Sequence, residues 1–261
     1  MDTLSLRIND QPISLTEIFS QMGLFRKLQP FLQEFVSQHV ILQEINNRDD
    51  ITVDSSVLMQ AIMDFRLKQG LAGQDKFNEW LSKENLNSTT FQQRVMLELK
   101  VKKLQESIAQ PNLQSYFEGH KQELEQLELS SILVSNESTA HEIKEQVTAT
   151  QDLQKLVNEY ASPQNGIIVQ TGKQQAQRRS LPKELQTQCT SASPGQVVGP
   201  INLKGTWCLF RLEAIIPAEL DDRTKEQIQG QLFGEWLSEK LNTVKISLEQ
   251  DKGTNSQPPP K

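Results

Sequence analysis

The stretch Ser193–Leu212, SPGQVVGPINLKGTWCLFRL, decides the fold. Pro194-Gly195 and Gly199-Pro200 are turn punctuators with a short edge segment between them. After the second, Trp207, Leu209 and Leu212, with Cys208 and Phe210 between, make a run that is apolar on both faces. A strand of that kind is covered from both sides. The stretch therefore reads as the end of a small mixed α/β unit.

Working outward, Leu127 to Val134 (LELSSILV) reads as a strand, and helices are expected over Ser138–Val147 and Asp152–Tyr160. Pro163-Gln164-Asn165-Gly166 is a turn, Ile167-Ile168-Val169 is strand-like, TGKQQAQRRS is a polar, basic loop, and LPKELQTQC is a short helix leading back to Ser193.

The first part of the chain has a different rhythm. Leu4 to Ile8 alternates like a strand, Asn9-Asp10-Gln11-Pro12 breaks it, and Ser14-Leu15-Thr16-Glu17 carries the capping-box pattern, so a helix should begin near Leu15. Apolar residues then recur at spacings of three and four from Leu24 to Ile45, which predicts a long helix bent or restarted near Pro30. A second helix around Val57–Leu67 is closed by Gly70 and Gly73, and a third holds Phe77, Trp80 and Leu81. A fourth starts from the caps at Asn87-Ser88-Thr89 and runs to Pro111, with a short helix from Leu113 to His120 after it. Arg223 to Leu241 is amphipathic, with Phe233, Trp236 and Leu237 on one side. Val244–Leu248 alternates and could pair with Leu4–Ile8, while Asp251–Lys261 has no apolar content and reads as a disordered tail.

Composition excludes several classes. A formal charge of −6 and a pI near 5.3 give no reason to expect nucleic acid as a partner. No apolar run reaches the length of a membrane span, and MDTLSLRINDQPIS lacks the basic and apolar regions of a signal peptide, so a cytoplasmic chain is expected. Cys189 and Cys208 cannot make a disulfide framework and read as reduced, packed thiols. His39, His120 and His141 show no metal-ligand spacing, so neither a metal nor another cofactor is expected.

The Pro-Gly turn, the Gly-Pro turn and the strand TWCLFRL, with LELSSILV upstream, resemble parvulin-type peptidyl-prolyl isomerases over Leu127–Ile216. The stretches ITVDSSVLMQAIMDFRLKQGL and DKFNEWLSKENLNSTTFQQRVMLELKVKKL are similar to the helical N-terminal region of SurA- and PrsA-like foldases, over roughly residues 1–120. The resemblance implies an α+β fold: a helical domain at residues 1–122, an inserted parvulin-like domain at 123–217, a helix and strand at 218–249 returning to the helical domain, and a tail at 250–261. It implies unfolded or proline-containing polypeptides as clients and leaves the oligomeric state open.

An X-Pro bond isomerises slowly because twisting the amide sacrifices its resonance, so an isomerase must hold the proline ring in an apolar pocket and stabilise the twisted amide. Parvulins do this with two buried histidines, a nearby Asp or Cys, and an apolar cup. By the resemblance, the histidine positions are held here by Ser131 and Cys208, and the substrate cup by Leu181, Leu185, Trp207 and Cys208. No Asp or Cys lies between Asp152 and Cys189, and an ungapped count puts Gly172 at the third polar position. A foldase with weak or lost isomerase activity is the reading that follows. An active isomerase and a client-specific adaptor for peptide maturation or export are the alternatives. Lys173, Arg178, Arg179 and Lys183 either steer acidic peptides or are simply a solvated surface.

Overall fold

The computed structural model describes residues 5–150 and 167–245. The protein is α+β, and its chain divides into two compact units, residues 1–111 with 229–261 and residues 112–228.

The first unit opens with strands β1 (Ser5–Ile8) and β2 (Gln11–Ser14), an antiparallel hairpin closed by Asn9 and Asp10. Both turn residues have positive φ, 49° and 64°, the two-residue turn that Asn and Asp tolerate and that matches strand twist. The NDQP segment thus reverses the chain, where a simple break was expected. Helix α1 (Leu15–Leu24) starts at Ser14, whose side chain accepts from the Glu17 N–H.

The helix expected from Leu15 is α1 and the long helix expected over Leu24–Ile45 is α2 (Leu28–Asn46), which runs unbroken through Pro30; the break between the two falls at Phe25–Lys27. There Lys27 N–H donates to Met22 C=O and Arg26 N–H to Gly23 C=O, a Schellman motif with Arg26 left-handed at φ 56°. Pro30 lies in the first turn of α2, where its missing N–H costs nothing. Helices α3 (Ser55–Lys68) and α4 (Gln74–Lys83) end in the same motif, with Gly70 and Asn85 in the left-handed position. Helix α5 (Ser88–Ala109) is capped by Asn87, which accepts from Thr90 N–H at 2.8 Å.

Two apolar clusters hold this unit. One gathers Ile62, Phe77, Leu81, Phe91 and Val95, with Phe65 and Trp80 packed on it. The other gathers Ile45, Ile51, Leu104 and Phe233, with Trp236 and Leu237 alongside. The last three come from the helix Asp222–Thr243, whose residues from Gln229 onward cluster with this unit. Lys240 pairs with Glu44 at 3.4 Å.

The second unit contains helix α6 (Leu113–Leu124), strand β3 (Gln126–Val134), helix α7 (Glu137–Thr150), strand β4 (Ile167–Gln177), a single 3-10 turn at Arg178–Ser180, helix α8 (Lys183–Ser191), and strands β5 (Val197–Leu203) and β6 (Thr206–Ile216). The helix Asp222–Thr243 is α9. The sheet is antiparallel in the order β4-β3-β6-β5.

Two expectations are corrected. TGKQQAQRRS is largely strand: Gln174 to Gln177 face Leu129 to Gln126 across the ladder. Gly199-Pro200 does not turn the chain; its peptide is cis and it forms an irregularity inside β5, between Val198 and Ile201. The reversal is at Lys204-Gly205, both at positive φ, with the Asn202 side chain accepting from Gly205 N–H. Gly199, at φ 107°, lies so close to β6 that an added Cβ would meet Cys208 O at 2.6 Å. The helix expected over 152–160, the tail, and all but the first two residues of the Val244–Leu248 strand lie outside the described residues. Among these, β1 pairs with β2.

Because Phe233 is buried beside Ile45 and Leu104 while Trp236 is half-buried, Phe233→Ala should cost about 3–5 kcal/mol. Trp236→Ala should cost less. Denaturant unfolding of the two variants gives the order.

Candidate functional site

β3 and β6 are neighbours in the middle of the sheet, with Ser131 opposite Phe210 and Leu133 opposite Cys208. Side chains directly opposite share a face, and residues two apart along a strand share it too. Ser131 and Cys208 therefore stand on one face as a diagonal pair, on the order of 7–8 Å apart.

That face is covered by α8. Leu185 is buried there in one cluster with Leu127, Leu129 and Leu212, and half-buried Leu181 packs against it. Four of the five expected residues are thus brought to a single face. Trp207 is not among them. It packs on the opposite face, against the cluster of Ile132, Val134, Leu209 and α7's Ile143, because a period of two sends 207 and 208 to different sides. Its assignment to the cup is corrected to a core role in the α7 layer. Gly172 is an exposed residue of β4.

The chemistry of the face is apolar. Cys208 is buried, its Sγ lies 3.7 Å from Thr206 C=O, and burial pushes its thiol up from the ordinary range. Cys189, on α8, is raised in the same way by burial, against an opposing pull from Arg178. At neutral pH both are therefore neutral thiols, and Ser131 is a neutral hydroxyl. In these neutral forms neither group carries charge to a twisting amide.

Of the expected basic cluster, Arg178 is the member drawn inward. Arg178 is buried; its Nη2 and Nε donate to Glu125 Oε2 at 2.8 and 3.3 Å, and its backbone N–H donates to Glu125 C=O. Lys173 lies 3.2 Å from Glu128 and 3.9 Å from Glu213, and Arg179 Nε donates to Gln177. Lys173 and Lys183 are exposed and Arg179 is half-buried. Sequence reasoning missed the polar group around Glu213. Ser130 donates to its carboxylate at 2.6 Å, and Arg211 and Lys173 lie within 3.9 Å of it. The alternation of Glu128 and Ser130 with leucines in LELSSILV was the available signal.

In the described part of the first unit, apolar surface is left open. Leu24 and Phe25 are 80% and 76% exposed, and Phe31 and Phe35 are also exposed. Phe31, Phe35 and His39 stack in sequence along α2, with ring centroids 6.4 and 6.3 Å apart. Beside them the hairpin and α1 line an open basin of about 600 Å³, walled mostly by Leu6, Ile8, Ile13, Ile18, Met22 and Phe25. Among the large aromatics of this unit, Phe77 and Phe91 are buried and Phe65 and Trp80 pack on them, while Phe25, Phe31 and Phe35 face outward.

Residues 108–223 match the family described as PPIC-type PPIASE domain. Among solved structures, the chain is similar to the peptidylprolyl isomerase PrsA of Bacillus cereus, at 17% identity and TM-score 0.47, covering 96% of both chains. It is similar to PrsA of Bacillus anthracis at 19% identity and TM-score 0.43, covering 83% of this chain and 99% of that one. A SurA-like chaperone of Campylobacter jejuni matches at 15% identity and TM-score 0.27, covering 92% and 93%. Among curated proteins none matches. The cytoplasmic expectation is corrected by these neighbours, of which the Campylobacter pair of SurA-like chaperones includes the periplasmic protein Cj1289. Among the described residues, no helix is long and apolar enough to cross a membrane.

Both thiols are buried and protonated, so a disulfide reagent should label native Cys189 and Cys208 at least about 100-fold more slowly than the unfolded chain. Fast labelling of Cys208 in the native protein overturns the description of this face.

Proposed function

We propose, for a chain whose residues 108–223 carry a PPIC-type PPIase domain, that it is a foldase-type chaperone of unfolded or extended polypeptides in which isomerase catalysis is weak or lost. The observation that carries the second half is the chemistry of the α8-covered face. Ser131 and a buried, neutral Cys208 occupy the positions where the resemblance implies the histidine pair, and the strand register puts the two on one face. Catalysis needs interactions that strengthen as the amide twists; a neutral hydroxyl and a neutral thiol in place of the histidine pair supply less of that differential stabilisation.

Polypeptide binding is supported by the open apolar surface of the helical unit. Exposed aromatics in a row beside an apolar basin suit hydrophobic client segments, and a folded monomer rarely leaves such a patch without a use. In this reading the helical unit binds and the PPIase-type unit contributes a second, uniform contact.

Two measurements test the halves separately. In a protease-coupled assay on X-Pro peptides, the chain should accelerate isomerisation at least about 100-fold less than an active parvulin, the size of a lost acid-base contribution. Parvulin-like rates that fall on Leu185→Ala overturn the loss of catalysis. Replacing Phe25, Phe31 and Phe35 together by Ser should reduce suppression of aggregation of an unfolded protein several-fold while leaving Tm within a few degrees, since all three side chains are exposed. Unchanged suppression by the folded triple variant removes the helical unit from the proposal.

A further inference from the structure

Among the described strands, β5 is the outermost on one side of the four-stranded sheet, and a strand in that position offers unpaired N–H and C=O groups to any other chain. Leu212 N–H donates to Gln196 C=O, so Gln196 and Val198, two residues on, turn their backbone groups toward β6. Val197 and Gly199 then turn theirs outward.

Gly199 is closed from both layers. Gln188 on α8 presents Oε1 to Gly199 N–H at 2.7 Å, and Lys144 on α7 donates its ammonium to Gly199 C=O. The next residue, Pro200, has no N–H to offer. Alongside runs an open cavity of about 530 Å³, lined by Lys144, Val147, Gln188, Ala192, Val197 and neighbouring residues. The edge is therefore physically accessible at the point where its hydrogen-bonding groups are occupied.

We infer that Lys144 and Gln188 are edge guards: by occupying both outward groups of Gly199, they prevent β5 from recruiting an extended strand of a second copy of this chain. The role belongs to neither the α8-covered face nor the apolar basin. It explains why two helices on opposite faces of the sheet each send a polar side chain to one glycine. Side-chain partners use up the donor and the acceptor that β-addition requires, without themselves extending the sheet.

The test uses the full chain and light-scattering mass across a range of concentrations, with far-UV circular dichroism to verify folding. Lys144→Ala/Gln188→Ala should keep the parent spectrum and gain concentration-dependent self-association, its apparent mass rising at least about twofold over the parent's. It should do so although removing Lys144 makes the chain more acidic and more self-repelling. Lys144→Arg/Gln188→Glu keeps a donor for the carbonyl and an acceptor for the N–H, and should retain the parent mass. Two results overturn the inference: a folded double-alanine variant with the parent's mass at every concentration, or equal association in the Arg/Glu variant. If the double-alanine variant does not fold, the two single alanine variants are read by the same criterion; failure of all three to fold also overturns it, because the contacts would then be determinants of the fold and not guards.

Discussion

The second unit depends on one constraint, the burial of β6 on both faces while it is paired on both edges. A strand so placed has no freedom of register, since a slip of one residue exchanges the set Cys208, Phe210 and Leu212 with the set Trp207 and Leu209. Each set has its own helix layer, α8 on one side and α7 on the other. Gly199 adds a second lock, because its α-carbon lies against the Cys208 carbonyl with no room for a side chain. The α8-covered face is therefore fixed by the packing of the opposite face as much as by its own residues.

The same parity explains which parts of the sequence were legible. Strand β6, the helix over Lys183–Ser191 and the strand LELSSILV are readable because apolar density and period agree with the structure. Trp207 went to the wrong face because an aromatic beside Cys208 looks like a pocket residue until the ladder is counted. The segment Lys173–Gln177 is polar on both sides, and nothing in its composition separates a solvent-facing edge strand from a loop; pairing with β3 decides it.

Helix ends give a second comparison. Gly70 after α3 is legible as a C-terminal stop because glycine enters the left-handed region without cost, and Asn85 after α4 is only a little less so. Arg26 performs the same task with an ordinary side chain, so the stop between α1 and α2 carried no signal and Pro30, four residues on, drew the attention. Arg178 was hard to read for a related reason. It looks like part of a solvated surface in sequence, but its partner Glu125 is tens of residues away along the chain.

The helical unit is assembled from both ends of the sequence, and this has a consequence for the order of events during synthesis. Ile45, Ile51 and Leu104 leave the ribosome well before Phe233 and Trp236, which pack on the same cluster. Residues 112–228, by contrast, are continuous and can close their sheet as soon as β6 has emerged. The nascent chain thus passes through a stage in which its inserted unit is complete while its first helices still lack the last segment of their core. During that interval the protein itself exposes the apolar surface that is the hallmark of an unfolded client.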